Sequence, residues 1–376
     1  MVPAYMRWIV IVFLAWGVLQ HLIKLWFTLG YHKAVLYNHQ PGPCRVVPGV
    51  EHGAEDITTL PNGLAFISSG LWLPGFPRGR SEARGRILTF NFSDPEKGVR
   101  ELNFSEEFDR ESFNPHGLSV WTDPLSGRIS VLVISHQRRK DQVEVFTYDV
   151  ATETLEHQET IRDELIYSGN DLLALGPDSF YLSNDVSHGA RGSTLARKLE
   201  TYLLLPFGNV VFYNGTQARP VAEGLVFPNG VNMSPDRRYL YVGAGFTEEL
   251  RIFRRFANNS LVQIEVSKGQ IEVSRVKSLP LHSFVDNIEV DPQTGDLYIG
   301  LHPVIGKTPI IHYDPWDPPG AQVLRVKNAV RGPDITELFV NNGTKLQGCS
   351  VASFHKGALL IGSMFDKLLY CQVRTL

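Results

Sequence analysis

Oxygen-bearing side chains recur at matched places along this chain, and they are the residues best suited to chemistry. The run Phe284-Val285-Asp286-Asn287-Ile288-Glu289-Val290 sets an acid and an amide side by side at the start of an alternating apolar segment. Asp and Asn are poor strand residues. Their placement fits either an Asx turn that shapes the strand start or donors gathered around a hard cation. Comparable starts occur at Glu55-Asp56, Asn170-Asp171 and Asn229-Gly230. Glu55, Asn170, Asn229, Asp286 and Asn287 together offer two carboxylates and three amides. That mixture suits Ca2+, which takes roughly six to eight oxygen ligands, better than zinc, which prefers His or Cys. The neighbouring Asp56 and Asp171, with a backbone carbonyl, supply donors for a second, deeper ion. His116 opens another such segment and His136 follows its returning strand. Each is either a structural histidine or a general base for water, since an imidazole titrates near working pH.

Other chemistries lack their motifs. There is no Gly-x-Ser-x-Gly elbow, no His-Glu-x-x-His and no P-loop, and Gly243-Ala244-Gly245 lacks the third glycine of a dinucleotide site. The net charge of −3 gives no field that would attract nucleic acid.

The polar starts belong to a repeat. Each unit has polar or Gly punctuation, an alternating strand, a turn and a second strand. The returning strands include Leu64–Ile67, Ile129–Ile134, Phe180–Leu182, Tyr239–Val242, Leu297–Gly300 and Ala358–Gly362. Units start near residues 56, 117, 171, 230, 287 and 349, so they lie 54 to 62 residues apart. Long-period β repeats with little helix predict an all-β, six-bladed β-propeller. The first strand of each blade lines the central channel, so the polar starts are expected to converge at one mouth. A single propeller over residues 31–376 accounts for the chain beyond its N-terminus. Cys44 and Cys371 lie near the two ends of the repeat array, and a disulfide between them would fasten the ring at its seam. Cys349 starts an apolar strand and reads as a buried thiol rather than a nucleophile.

Residues 1–30 read as a hydrophobic helix. Trp8 to Leu19 is an apolar run behind Arg7, and apolar residues resume at Leu25-Trp26-Phe27. A secretory signal and an uncleaved anchor reaching about Leu29 compete. The absence of a clear small-x-small cleavage site favours the anchor. Either sends the rest of the chain to the secretory lumen. Sequons at Asn91, Asn103, Asn214, Asn258 and Asn342 agree with that compartment, while Asn232 lies inside a repeat start. Residues 70–86, with four arginines after Gly75, form either a lid or a solvated connection. Ser193 to Leu205 reads as an amphipathic helix, packed on a blade or touching a membrane or hydrophobic substrate.

With these residues in view, the chain resembles the serum paraoxonase family of calcium-dependent lactonases and arylesterases, from about Gly42 to Cys371. The carriers are Glu55-Asp56-Ile57, Leu60 through Leu71, Asn114-Pro115-His116-Gly117-Leu118, Asn170-Asp171, Asn229 through Asn232, Val285 through Ile288, Asp291 through Leu297 and Leu346-Gln347-Gly348. The resemblance implies a six-bladed propeller with two calcium ions. Glu55, Asn170, Asn229, Asp286 and Asn287 would hold the catalytic ion; Asp56, Asp171 and the carbonyl of Leu118 would hold the structural one. It aligns His116 and His136 with the family's histidine dyad. It also implies a Cys44–Cys371 bridge, a retained hydrophobic N-terminus, glycans at Asn258 and Asn342, a flap at 70–86 and a lipid-facing 193–205 helix. Three departures stand out. The family's usual free cysteine aligns with Leu301, while Cys349 is new. The flap carries Trp72-Leu73 and an arginine run, which bears on substrate preference. Position 118 is Leu, where only the carbonyl is asked to bind.

The function this implies is hydrolysis of lactones and aryl esters, with side activity on phosphotriesters. The partners would be a small hydrophobic ester or lactone, a membrane surface, and a second copy or a membrane protein; nucleic acid is not among them. The alternative is a membrane-anchored chaperone or accessory subunit for ion channels, as for some invertebrate members.

Overall fold

The structure is a computed structural model that describes residues 4–374 apart from 34, 78, 80–83, 138–139, 188–193, 268–269 and 273–277. Within them the repeat folds as a six-bladed propeller. The inner strands are Ile57–Thr59, Pro115–Thr122, Gly169–Ala174, Pro228–Met233, Phe284–Val290 and Val351–His355. Each begins a blade whose strands pair with their neighbours in chain order. Each inner strand packs against that of the next blade, and the sixth packs against the first.

The ring closes through the last blade, where Cys44–Val47 from the N-terminal side pairs with Leu368–Gln372. Cys44 lies opposite Cys371 in that ladder, and the two are disulfide-bonded across 327 residues of chain. In the chain-entropy account a loop this long is worth roughly 5 kcal/mol. The core is apolar between blades: Phe66, Phe146 and Val131 fill the space between blades 1 and 2, and Ile299, Leu301 and Val285 that beside blade 5.

Four of the six inner strands share an irregularity. Pairing with the second strand breaks between Pro115 and Leu118, Gly169 and Leu172, Pro228 and Val231, and Val285 and Ile288. These are β-bulges, which re-aim side chains out of strict alternation. Two consecutive residues of each strand, such as Asn170-Asp171 and Asp286-Asn287, are thereby freed to face the channel region. Gly117 and Gly230 let neighbouring inner strands approach. A Cβ at Gly117 would lie 2.6 Å from Asn170 O and Asp171 Cα, and one at Gly230 would lie 2.6 Å from Asn287 Cα.

The N-terminal helix, Ala4–Thr28, has 25 residues, about 37 Å at 1.5 Å per residue, enough to cross a bilayer core. Its far end docks on the propeller. Leu25 and Leu29 join Val186, Phe227, Phe246, Phe284 and Ile305 in one apolar cluster, and Lys33 pairs with Glu248 at 3.1 Å. The second helix spans Thr194–Tyr202; Ser193 lies outside the described residues. It ends before Leu205 because Leu204 turns left-handed, with φ 53°, and is buried. Its polar face points inward: Glu200 is buried and accepts from the Ser187 backbone and hydroxyl at 2.8 and 2.6 Å. Leu195, Leu199 and Leu203 are turned to solvent, so this helix does not pack on a blade by its apolar side. In the 70–86 loop, residues 78 and 80–83 lie outside the described residues. Trp72 is fixed in place, exchanging backbone hydrogen bonds with the Asn114 amide at 2.8 and 2.9 Å.

Candidate active site

The five proposed catalytic-ion ligands come together at the strand starts. All five are at least 96 % buried. Asn287 Nδ2 donates to Glu55 Oε1 at 3.1 Å and to the Glu55 carbonyl at 3.1 Å, across 232 residues of sequence. Asn229 hydrogen-bonds Asp286 through its side chain. The Ser350 hydroxyl of blade 6 donates to the Glu55 carbonyl at 2.7 Å and its carbonyl accepts from Asn287 N–H at 2.9 Å, so the ring's seam sets Glu55.

Among the described residues, four of these leave an oxygen without a hydrogen-bond partner: Glu55 Oε2, Asn170 Oδ1, Asn229 Oδ1 and Asn287 Oδ1. Buried polar atoms are seldom left so, because the lost hydration costs about 1–3 kcal/mol each. A hard cation would satisfy all four. No cluster of three or more His, Cys, Asp or Glu side chains poised for a metal occurs among the described residues; the donors here are mixed carboxylate and amide, as calcium favours.

The deeper carboxylates differ. Asp56 accepts from Ile57 N–H at 2.8 Å and from Leu118 N–H, on the next blade, at 2.7 Å. Asp171 repeats this one blade pair onward, accepting from Leu172 and Val231 N–H, each at 2.7 Å. The Leu118 carbonyl accepts from the Thr58 hydroxyl at 3.3 Å and keeps a second lone pair.

Crowding of acids in a dry channel shifts their titration. Burial pushes Asp56 up to about 7, with the Glu55 charge adding to it. Burial also raises Asp171 and Asp286 well above the usual carboxylate range, aided by Asp56 and Glu55 respectively. These groups resist sharing negative charge unless a cation offsets it.

The two histidines are adjacent. His116 Nδ1 lies 2.7 Å from His136 Nε2, and His116 Nε2 lies 3.4 Å from Glu55 Oε1. Burial lowers the His116 pKa, but the Glu55 carboxylate, with Asp185 and Asp286 behind it, outweighs burial and raises it to about 9.

Three acid or histidine side chains here escaped the sequence reading. Asp141 Oδ1 lies 2.9 Å from His136 Nδ1; it follows Arg138-Arg139-Lys140, a polar run that reads as a connection. His302 is fully buried and lies 2.6 Å from Asp286 Oδ2 through Nε2. Burial pushes its pKa down to about 3, so the neutral ring donates to Asp286. Asp185 accepts from the Ser168 hydroxyl and faces Arg197 of the second helix at 3.4 Å. A titratable residue at or just past the end of an apolar strand, as at His302 and Asp185, is the one signal that could have exposed two of them. A cavity of about 620 Å3 beside Gln137 and Lys140 is lined by Glu144 and His157, but these already pair with each other at 2.9 Å.

The family profile described as Arylesterase matches residues 37–373. The chain belongs to the arylesterase family. It is 41 % identical over 332 residues to human serum paraoxonase/arylesterase 1, covering 88 % of each chain. It is 39 % identical to human serum paraoxonase/arylesterase 2 over 331 residues, again 88 % of each, and 37 % identical to rabbit (Oryctolagus cuniculus) serum paraoxonase/lactonase 3 over 333 residues, 88 % of this chain and 89 % of that one. Among solved structures, a luciferin-regenerating enzyme superposes with TM-score 0.54 at 9 % identity, covering 88 % of this chain and 95 % of that one. A putative gluconolactonase does so with TM-score 0.52 at 16 % identity, covering 89 % and 92 %. At such identities the likeness shows the shared propeller fold alone.

Proposed function

We propose that this member of the family is a calcium-dependent hydrolase of lactones and aryl esters, with phosphotriesters as side substrates, held at a membrane with its propeller on the lumenal or extracellular side. The observation that carries the reading is the buried ring of four unpartnered oxygens beside a hydrogen-bonded histidine pair. Glu55, Asn170, Asn229, Asp286 and Asn287 hold the catalytic calcium; Asp56, Asp171 and the Leu118 carbonyl hold a structural one. When bound, the catalytic ion polarises the acyl carbonyl and stabilises charge on its oxygen.

The chain's own residues do the rest. Glu55 is the group that keeps His116 protonated; with that charge shared, the imidazole returns toward its ordinary value and can act as a base. His116 Nε2 accepts a proton from the attacking water, and His136 Nε2 holds or relays the proton on His116 Nδ1. His302, neutral, orients Asp286 through its 2.6 Å contact.

The membrane reading rests on three features that share a face. The N-terminal helix is long, apolar and exposed along its length. Its end docks beside the second helix, with His21 Nε2 2.8 Å from the Tyr202 carbonyl. That helix turns Leu195, Leu199 and Leu203 outward, and Phe207 beyond it is half exposed. A glycosylated, disulfide-bonded ectodomain follows. At Asn258 and Asn342 the amide oxygen accepts from the sequon hydroxyl at 2.7 and 2.9 Å on an exposed turn. At Asn232 the amide nitrogen is committed to the Ile288 carbonyl at 2.7 Å.

The test is hydrolysis of phenyl acetate and of a small aliphatic lactone by the full chain in detergent, with chelator and with calcium restored. Turnover lost to chelator and recovered with calcium supports the proposal. A folded, calcium-loaded chain that turns over neither substrate and co-purifies with a channel subunit supports the accessory-subunit reading.

A further inference from the structure

Asp141 stands behind the histidine pair in a way that neither the family resemblance nor the repeat pattern assigns. It is 1 % exposed. Oδ2 accepts from Gly169 N–H at 2.9 Å, the residue immediately before Asn170-Asp171. Among the described residues Oδ1 makes no hydrogen bond, and His136 Nδ1 approaches it obliquely at 2.9 Å. Among the described residues His136 is its only ion-pair partner. A buried carboxylate with one unspent oxygen is costly unless a donor meets it, and a small rotation of the His136 ring brings Nδ1–H in line.

We propose that Asp141 is the positioning residue of the hydrolase, fixing the tautomers of both histidines so that the base nitrogen of His116 is free. This rests on the hydrolase reading above. A carboxylate oxygen accepts, so the hydrogen between Asp141 Oδ1 and His136 sits on His136 Nδ1. His136 Nε2 is then a lone pair and accepts from His116 Nδ1–H across 2.7 Å. His116 Nε2, on the Glu55 side, is left without a proton in the neutral ring. In the reaction, water gives its proton to His116 Nε2 and hydroxide bonds the acyl carbon. The hydrogen on His116 Nδ1 moves to His136 Nε2. The resulting imidazolium at His136 lies against the Asp141 carboxylate, which balances its charge. The departing alkoxide or phenolate later takes the proton back along the same path. The backbone of His136 is also held, its main-chain N–H donating to the Asn114 carbonyl at 3.0 Å.

Asp141→Asn tests this with little change of shape. If the amide oxygen keeps Gly169 N–H, the amide NH2 faces His136 Nδ1 and can only donate. Hydrogen must then sit on His136 Nε2, which turns His116 Nδ1 into an acceptor and places a hydrogen on His116 Nε2. The base is blocked. The expected result for the full chain in detergent is a kcat fall of at least roughly 10², towards the roughly 10⁴ seen when the buried Asp behind a serine protease's catalytic His becomes Asn. KM should stay within about threefold of wild type, with calcium content and thermal midpoint held. A far-downfield proton NMR resonance from His136 Nδ1–H, assigned by its loss in His136→Gln, should be present in wild type and absent in Asp141→Asn.

A kcat for Asp141→Asn within twofold of wild type would overturn the proposal. So would a loss that merely tracks lost calcium or a lowered thermal midpoint, since that marks a strand-holding role through Gly169. Should the wild type hydrolyse nothing, the resonance still decides: its disappearance in Asp141→Asn upholds the tautomer lock while the hydrolase reading fails, and its absence from wild type overturns the lock itself.

Discussion

The channel carries two layers of oxygen donors, one residue apart on the same inner strands. In the layer at the strand mouths, Glu55, Asn170, Asn229 and Asn287 each keep a buried oxygen that no described residue satisfies. In the layer below, Asp56 and Asp171 spend both oxygens on backbone N–H groups, one on their own strand and one on the next blade. In the pairs Glu55-Asp56 and Asn170-Asp171 the first residue is left incomplete and so can recognise something from outside. The second joins its strand to the next blade. In the fifth blade it is the second residue, Asn287, that is left incomplete, while Asp286 is met by His302. The layer built to be completed should govern activity, and the layer already bonded across blades, with lone pairs to spare for a deeper ion, should govern stability.

The sharpest way to break that division is in the upper layer. Glu55→Gln keeps the shape and removes the charge. It should lower kcat/KM for phenyl acetate by at least roughly 10³, about 4 kcal/mol of transition-state stabilisation, with a midpoint of denaturant unfolding close to wild type in chelator. Loss of folding in place of activity would merge the two layers. Asp171→Asn is the converse. The amide has one oxygen where the carboxylate has two, so it can accept from only one of the Leu172 and Val231 N–H groups and faces the other with its NH2, at a cost of roughly 1–3 kcal/mol for the donor left unmet. Urea unfolding should show a loss of that size while the folded fraction keeps its activity within a few-fold.

Metal removal probes both layers through pH. In the cation-free chain, burial raises Asp56 to about 7 and holds Asp171 and Asp286 above their ordinary values. Between an unfolded value near 4 and these raised values, the folded chain keeps protons that the unfolded chain has released. Stability therefore falls as pH rises through that window. The thermal midpoint in EDTA should be lower at pH 7.5 than at pH 5, by a few degrees. Saturating calcium, which displaces those protons, should remove or reverse the slope. Parallel curves with and without calcium would mean the ion does not meet these carboxylates. The smallest effect expected is that of Thr58→Val. It deletes one hydroxyl from the Leu118 carbonyl and should cost about 1 kcal/mol or less, leaving that carbonyl open to a deeper ion and activity unchanged.

Much of this was legible in the sequence, for reasons that can be named. The six returning strands alternate and are bounded by turns such as Asp291-Pro292-Gln293-Thr294-Gly295, so period and punctuation placed the blades. The polar starts were visible because Asp and Asn are out of place at a strand entrance. What escaped was side-chain partnership across blades. Asp141 lies in a charged connection with no period, and only the fold carries it to His136. His302 looked like the end of an apolar strand, and its link to Asp286 exists only once the two strands pair. The orientation of the second helix was also hidden. Its pattern shows an apolar side but not whether that side meets a blade or turns away, and here the buried Glu200 decides for the latter.

Counting calcium ions on the full chain by isothermal titration is the most direct trial of the central claim. The account predicts two per wild-type chain, with the site served by Glu55 lost in Glu55→Gln while the other remains. A wild-type chain that takes up none, and melts at the same temperature in EDTA as in millimolar calcium, would contradict it.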